Sequence, residues 1–301
     1  MIDIIITSYK EPKATLNAVR SIYNQKITTK FRVIVVDPFP ETEKFLKKNI
    51  KNKNFVFSLD PGEGKSYALN LLFQEYGSAN ENDIFILTDG DVKISENSVS
   101  EILKIFKDKK VGCVTGKPVS IDSRSTKYGY WSHFLFSGID RARRNLAENK
   151  KFFECSGYLF ALRKGLILDF PLETSEDSII PYIIWEKKYN IDYADKAEVY
   201  VKNPSNWKDW VNQKVRNIKA HENLNKLAPD MPRTKSFFNE IKKGWFFLFI
   251  YPKNVKEVYW TIQLYFARIY VYFKAFYEMK LDKKYRDGWR EIETPSTKPL
   301  D

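Results

Sequence analysis

Ile84-Phe85-Ile86-Leu87-Thr88-Asp89-Gly90-Asp91 is the stretch that decides the fold class of this chain. Its first five residues are apolar or β-branched and read as a strand buried on both faces, as parallel strands are. Two acids follow at once, where such a strand would leave the sheet at its carboxyl edge, the edge on which open α/β sheets bind ligands. Carboxylates held this close repel, so the pair calls for a cation, and all-oxygen donors suit Mg²⁺ or Mn²⁺ clamping phosphate oxygens. Asp-Gly-Asp is also a common solvated turn, so the weight of the reading comes from its surroundings.

Working outward, the texture repeats. Ile2–Ser8 and Phe31–Val36 read as strands, the second ending at Asp37 as the quoted run ends at Asp89. Phe55–Leu59, Val111–Thr115 and Cys155–Leu162 resume the pattern. Pro12 opens a helix with Leu16, Val19, Ile22 and Tyr23 on one face, and Tyr67–Tyr76 carries another. Ser98 and Glu101 form a capping-box pattern ahead of Ile102, Leu103 and Phe106. This alternation predicts an α/β fold with a mostly parallel sheet flanked by helices. The polar, basic stretch Ser120–Lys151 shows no clear period and reads as a functional loop or lid. A helical pattern over Ser175–Lys188 begins at the acidic pair Glu176-Asp177.

With 301 residues, 43% hydrophobic and 16% aromatic, the chain can form one large domain, or a domain with an appendage. Its only cysteines are Cys113 and Cys155 and its only histidines His133 and His221. That pattern excludes a disulfide framework, a thiolate metal site and a histidine-built metal centre, and fits a reduced, cytoplasmic setting. Asp3 interrupts the first apolar run, so no signal peptide is expected. The net charge is +12, of which +9 falls on residues 201–301, with 20 Lys/Arg against 11 Asp/Glu. A basic third suits anionic lipid or diphosphates; nucleic acid is the less expected partner.

Asp37 and Asp89 both end strands and should project from one sheet edge. The loop Asp60-Pro-Gly-Glu-Gly-Lys-Ser66 adds glycines for close backbone approach and Lys65 as a positive charge for phosphate. Gly64-Lys65-Ser66 also ends like a P-loop, but that motif needs a glycine where Leu59 stands. Glu176 and Asp177, at a helix start, are either dipole-favoured caps or a catalytic base. Gln213 and Arg216 fall one turn apart on one helix face, and a guanidinium there suits a diphosphate.

Taken in order, Thr7-Ser-Tyr-Lys-Glu11, Val35-Val36-Asp37, Gly64-Lys65-Ser66-Tyr67-Ala68-Leu69-Asn70, Asp89-Gly90-Asp91, Ser156-Gly157, Glu176-Asp177 and Gln213-x-x-Arg216 resemble glycosyltransferase family 2 over about residues 1–220. The resemblance implies a GT-A fold and an inverting transfer from a nucleoside diphosphate sugar to a hydroxyl acceptor. It implies that Thr7, Glu11 and Asp37 line the nucleoside pocket with Lys65 nearby, and that Asp89 and Asp91 hold Mg²⁺ or Mn²⁺ on the diphosphate. It further implies that Asp177 is the base and that Gln213 and Arg216 contact the leaving diphosphate or the acceptor. The chain departs from the family at Thr7, Lys10 and Pro38, and at Asn217, where polymerising members carry tryptophan. A catalytically silent nucleotide-sugar-binding scaffold and a sugar nucleotidyltransferase are the rival readings. The latter fold usually opens with a glycine-rich, arginine-bearing loop, which Thr7–Glu11 is not.

Residues 1–240 are expected to form the transferase domain and 241–301 an aromatic, basic helical appendage. Trp245–Tyr251 is apolar and broken by Pro252. Beyond it, Val258, Ile262, Tyr265, Phe266, Ile269, Phe273 and Phe276 share one helical face, opposed by Lys256, Gln263, Arg268 and Lys274. Such a stripe either packs on its own domain or lies in a membrane interface. The second case predicts a peripheral enzyme on the cytoplasmic membrane face with a polyprenyl-phosphate or lipid-linked glycan acceptor.

Overall fold

A computed structural model describes residues 1–172, 174–232 and 247–281. Trp245 and the expected boundary at 240/241 lie outside the described residues. The chain opens as β1 (Ile2–Thr7), α1 (Pro12–Tyr23), β2 (Phe31–Asp37), α2 (Pro40–Asn49), β3 (Phe55–Leu59), α3 (Lys65–Tyr76) and β4 (Ile84–Asp89). A short β5 (Lys93–Ile94), α4 (Ser98–Ile105), β6 (Val111–Ser120), α5 (Lys127–Glu148), β7 (Leu159–Arg163) and α6 (Glu176–Glu186) follow. The last elements are β8 (Asn190–Val201), α7 (Trp207–Leu227), α8 (Phe247–Ile250) and α9 (Val255–Lys280).

The eight strands form one sheet in the order β3-β2-β1-β4-β7-β6-β8-β5. The pairings from β3 to β4 are parallel, β7 runs against both β4 and β6, and β6 pairs parallel to β8. Alternation splits the apolar residues between the faces. Ile4, Ile6, Val33 and Val35 join one buried cluster with Leu16 and Val19 of α1. Ile5, Ile34, Val36, Phe85 and Leu87 join another with Leu69 and Phe73 of α3 and Ile180 of α6. Register then fixes the edge: Thr7 stands opposite Val36 on one side and Asp89 on the other, so the ends of β1, β2 and β4 are level.

Several expectations are corrected. The stretch expected as a loop or lid, Ser120–Lys151, is mostly the 22-residue helix α5, started by Thr126, whose hydroxyl accepts from the Gly129 amide at 3.2 Å. It folds as a helix because Tyr130, Trp131 and Phe134 bury together against Trp210, Val215 and Leu264 of α7 and α9. Outside that strip most of its residues are half-exposed, with Arg143 buried and Arg141, Asn145 and Glu148 exposed, which hid the period. The capping box at Ser98 does not form: Asn97 is the cap residue, and the Ser98 hydroxyl instead donates to the Glu198 carbonyl of β8 at 2.8 Å. β8, which sequence reading passed over, is the long strand that extends the sheet beyond β6.

The aromatic stripe of α9 does not pack on the other described residues. The buried residues are Glu257, Thr261, Leu264, Ala267, Val271 and Ala275, set against α5 and α7, whereas Val258, Ile262, Phe266, Ile269, Phe273 and Phe276 are exposed and Tyr265 is half-buried. No helix among the described residues is long and apolar enough to cross a membrane.

Candidate functional site

The site is built from strand ends. The Thr7 hydroxyl donates to Asp89 Oδ1 at 2.9 Å, which the register of β1 and β4 makes possible. Gly90 follows, its amide donating to the Thr7 carbonyl at 2.8 Å. A side chain here would put a Cβ 2.9 Å from Thr15 Oγ1, 3.2 Å from Ser8 Cβ and 3.3 Å from the Thr7 carbonyl oxygen. Only glycine therefore lets the turn between the two acids lie this close to β1. Asp91 beyond it is buried at 3% exposure.

Asp37, at the end of β2, is fully buried. Its two oxygens accept from the amides of Phe39, at 2.8 Å, and Lys10, at 3.0 Å. Burial pushes its carboxyl above the usual aspartate range, against the downward pull of its hydrogen bonds from Ser8, Phe39 and Lys10. Lys10 holds φ at 56°, a left-handed conformation disfavoured for a side-chain-bearing residue. The strained turn points its amide at Asp37. Tyr9 and Phe39 meet edge to face across the same turn, with ring centroids 5.0 Å apart. Thr7, Glu11 and Asp37 thus gather on the β1–β2 side of the edge, and Asp89 and Asp91 on the β4 side.

Lys65 links this edge to the rest. As first residue of α3, after Gly64 at φ 113°, it reaches Asp89 Oδ1 at 2.8 Å and Glu176 Oε1 at 2.6 Å. Burial opposes its charge, but the two carboxylates prevail and hold its pKa above the usual lysine range. Its ammonium is engaged by carboxylates rather than standing open for phosphate. The rest of the Gly-Lys-Ser-Tyr-Ala-Leu-Asn stretch is a clamp. Ser66 Oγ donates to the Thr174 carbonyl at 3.2 Å, and Asn70 exchanges two bonds with the Phe170 backbone, at 2.8 and 3.0 Å. The motif therefore fastens α3 to the segment that leads into α6.

Asp177 sits in the first turn of α6, half-exposed. One oxygen accepts from the Gly157 amide at 3.1 Å and the other from the Ser175 hydroxyl. Neither donor is an amide of its own helix, so the carboxylate faces the Ser156-Gly157 turn instead of capping α6. The Cys155 amide in turn donates to the Asp177 carbonyl at 2.8 Å. Buried Glu154 accepts from the Ser178 hydroxyl at 2.7 Å and lies 3.3 Å from His221 Nδ1 of α7.

Gln213 and Arg216 both fall on α7, Gln213 buried and Arg216 exposed, with no ion pair from Arg216 to any described residue. The structure joins Thr7, Lys65, Asp89 and Glu176 directly, and Asp177 through its neighbour; it shows no such bond from Arg216. Sequence reading singled out the Ser175-Glu176-Asp177 and Ser156-Gly157 stretches but gave a role of its own only to Asp177. A signal was there, since an acidic pair beginning a helix leaves one carboxylate for the lysine and one for chemistry.

Among the described residues no group of three or more His, Cys, Asp or Glu side chains gathers to hold a metal ion. The strand end offers two carboxylates, and this donor set fits Mg²⁺ or Mn²⁺, which are often held by one or two carboxylates with the remaining sites filled by substrate phosphate and water.

A family model described as Glycosyltransferase like family 2 matches residues 2–220. Among solved structures, S. aureus TarS 1-349 in complex with UDP-GlcNAc superposes with a TM-score of 0.50 at 17% identity, covering 100% of this chain and 99% of that one. GalNAc-T7 with UDP, GalNAc and Mn²⁺ gives 0.47 at 16% identity, over 66% of this chain and 43% of its own. A longer S. aureus TarS gives 0.49 at 15%, over 85% and 44%. This chain therefore spans less than half the length of those last two. A search of curated proteins returns no match. The architecture is the GT-A fold, with a further helix at the C-terminal side.

Proposed function

Because the chain belongs to glycosyltransferase-like family 2, we propose that it moves a sugar from a nucleoside diphosphate donor to a hydroxyl acceptor with inversion at the anomeric carbon. Asp177 removes the acceptor proton as the hydroxyl oxygen attacks that carbon. The bond to the diphosphate breaks on the opposite side, and the leaving group departs with the electron pair. Arg216, on an exposed face of α7, meets the charge that grows there. Thr7, Glu11 and Asp37 take the nucleoside, and Gln213 the diphosphate or acceptor. Asp89 and Asp91 would hold the divalent ion, which when bound offsets diphosphate charge.

The observation that carries this reading is the Lys65 bridge. It brings Asp89, at the donor side of the sheet edge, against Glu176, the neighbour of the proposed base. Two carboxylates and one ammonium leave this trio with an excess negative charge, which a cation on the donor would neutralise. The TarS fragment was solved with UDP-GlcNAc, which makes uridine diphosphate sugars the first donors to try. The transferase domain is assigned to 1–240 and the appendage to 241–301, working at the cytoplasmic face of a membrane on an acceptor such as a polyprenyl phosphate or lipid-linked glycan.

The deciding experiment is a panel of nucleoside diphosphate sugars, assayed for binding and for slow hydrolysis with and without chelator. Metal-dependent binding with release of the diphosphate supports the reading. Tight binding without turnover on any donor or acceptor would leave a silent binding protein, and release of pyrophosphate from a nucleoside triphosphate and a sugar phosphate would make it a nucleotidyltransferase.

A further inference from the structure

We propose that the outward face of α9 is a docking surface for an anionic lipid bilayer, on which the helix lies flat in the headgroup region. The face is apolar along the helix: Phe266 is 69% and Phe273 72% exposed, in line with Val258, Ile262, Ile269 and Phe276. Tyr259, Tyr270 and Tyr277 border it on one side, and the Trp207 ring of α7 lies 5.6 Å from that of Tyr270. Isolated exposed apolar residues are ordinary, but a continuous stripe marks a binding surface.

The rotation of the helix is fixed from the inside, so this face is not the product of loose packing. Arg124 grips Glu257 with two bonds of 2.8 Å, Tyr130 and Thr261 hydroxyls meet at 2.6 Å, and the Trp131 indole donates to the Trp260 carbonyl at 2.7 Å. Leu264, Val271 and Ala275 complete the inner contact.

Charge selects the occupant. Both carboxylates of α9 are consumed away from the apolar face, Glu257 by Arg124 and Glu278 by Lys219 and Lys274. The outer arc holds no acid, and Lys256 and Lys280, both exposed, stand at the two ends of the helix. A helix with an aromatic face and lysines at both ends, too polar to span, has the composition of an interfacial helix. The whole chain carries +12, which favours an anionic surface and opposes a second, equally positive copy. Its 26 residues give about 39 Å of contact length at 1.5 Å per residue. Because α9 packs on α7, the lipid surface is one helix away from Gln213 and Arg216, which suits a lipid-borne acceptor.

The test needs no turnover, so it stands apart from the proposed reaction. The full chain is floated with vesicles of phosphatidylcholine alone and of phosphatidylcholine with phosphatidylglycerol, at low and high salt. Binding to the anionic vesicles that weakens with salt is expected. The double variant F266S/F273S should lose at least about tenfold in partitioning, a factor that the burial of one phenylalanine already supplies, while its circular dichroism and thermal midpoint stay those of the parent. Absence of vesicle binding by the parent chain overturns the proposal, as does equal binding by the folded double variant. So does a parent that is dimeric by analytical ultracentrifugation and becomes monomeric in the variant without ever binding vesicles, which would assign the face to a second copy.

Discussion

Lys65 Nζ lies 2.6 Å from Glu176 Oε1 and so ties the start of α3 to the start of α6 across the sheet edge. Both groups are mostly shielded, with side-chain exposures of 22% and 10%. Replacing Lys65 by Met would leave Asp89 and Glu176 facing each other without a counter-charge. We expect a loss of about 2–3 kcal/mol in urea unfolding, below the full value for a buried pair because some water reaches it. Turnover should fall with it, and neutralising the partner in K65M/E176Q should recover part of the stability. Unchanged unfolding in K65M would show that the bridge contributes nothing.

Asp177→Asn keeps the hydrogen bonds from Gly157 and Ser175 within reach but cannot take a proton. Turnover at saturating donor and acceptor should drop by about 10²-fold or more, with donor affinity nearly unaltered. A variant that turns over like the parent would return Asp177 to a structural role.

Asp91→Ala should abolish transfer and weaken donor binding, and excess EDTA should do the same to the parent chain, with recovery on adding Mg²⁺ or Mn²⁺. Isothermal titration with the nucleoside diphosphate alone separates the two effects. Full activity in EDTA removes the metal from the reaction.

Acid should loosen the C-terminal helix. Hydrogen bonds from Arg124 hold the Glu257 carboxyl below its ordinary value of 4.5, against the opposing effect of burial. A folded pKa below the unfolded one means the bridge stabilises fully above about 4.5 and loses its effect as pH falls through the depressed folded value. Glu257→Gln should cost about 2 kcal/mol at neutral pH, the scale of hydrogen bonds to a charged group. Its stability should then fall less steeply than the parent's below pH 4.5. Parallel curves for the two chains would remove Glu257 from the acid response.

The parallel half of the fold could be read from residues because β1, β2 and β4 are largely apolar on both faces and β2 and β4 end at acids. Asp37 and Asp89 could be placed on one edge for the same reason. What resisted reading depends on long-range partners. α5 buries only Tyr130, Trp131, Phe134 and a few small or polar neighbours, and the helices that cover them come much later in the chain. Which face of α9 turns inward was decided by Glu257 and Thr261 finding Arg124 and Tyr130, not by the larger apolar stripe. The bridge from Lys65 to Glu176 could not be read because the two are remote in sequence.

The clamp between α3 and the segment before α6 has a consequence for how the molecule assembles. Ser66 and Asn70 bond to Thr174 and Phe170, so a ribosome must deliver more than half of the chain before this clamp on α3 can close. Contacts this distant close slowly, since the loop entropy is lost before the bonds are gained. The first four strands can pair early, as a half-built sheet whose carboxylates at Asp37 and Asp89 already stand level. The proposed base arrives with the clamp, in the same late event, so a nascent chain stalled short of α6 would display the donor edge and have nothing with which to activate an acceptor.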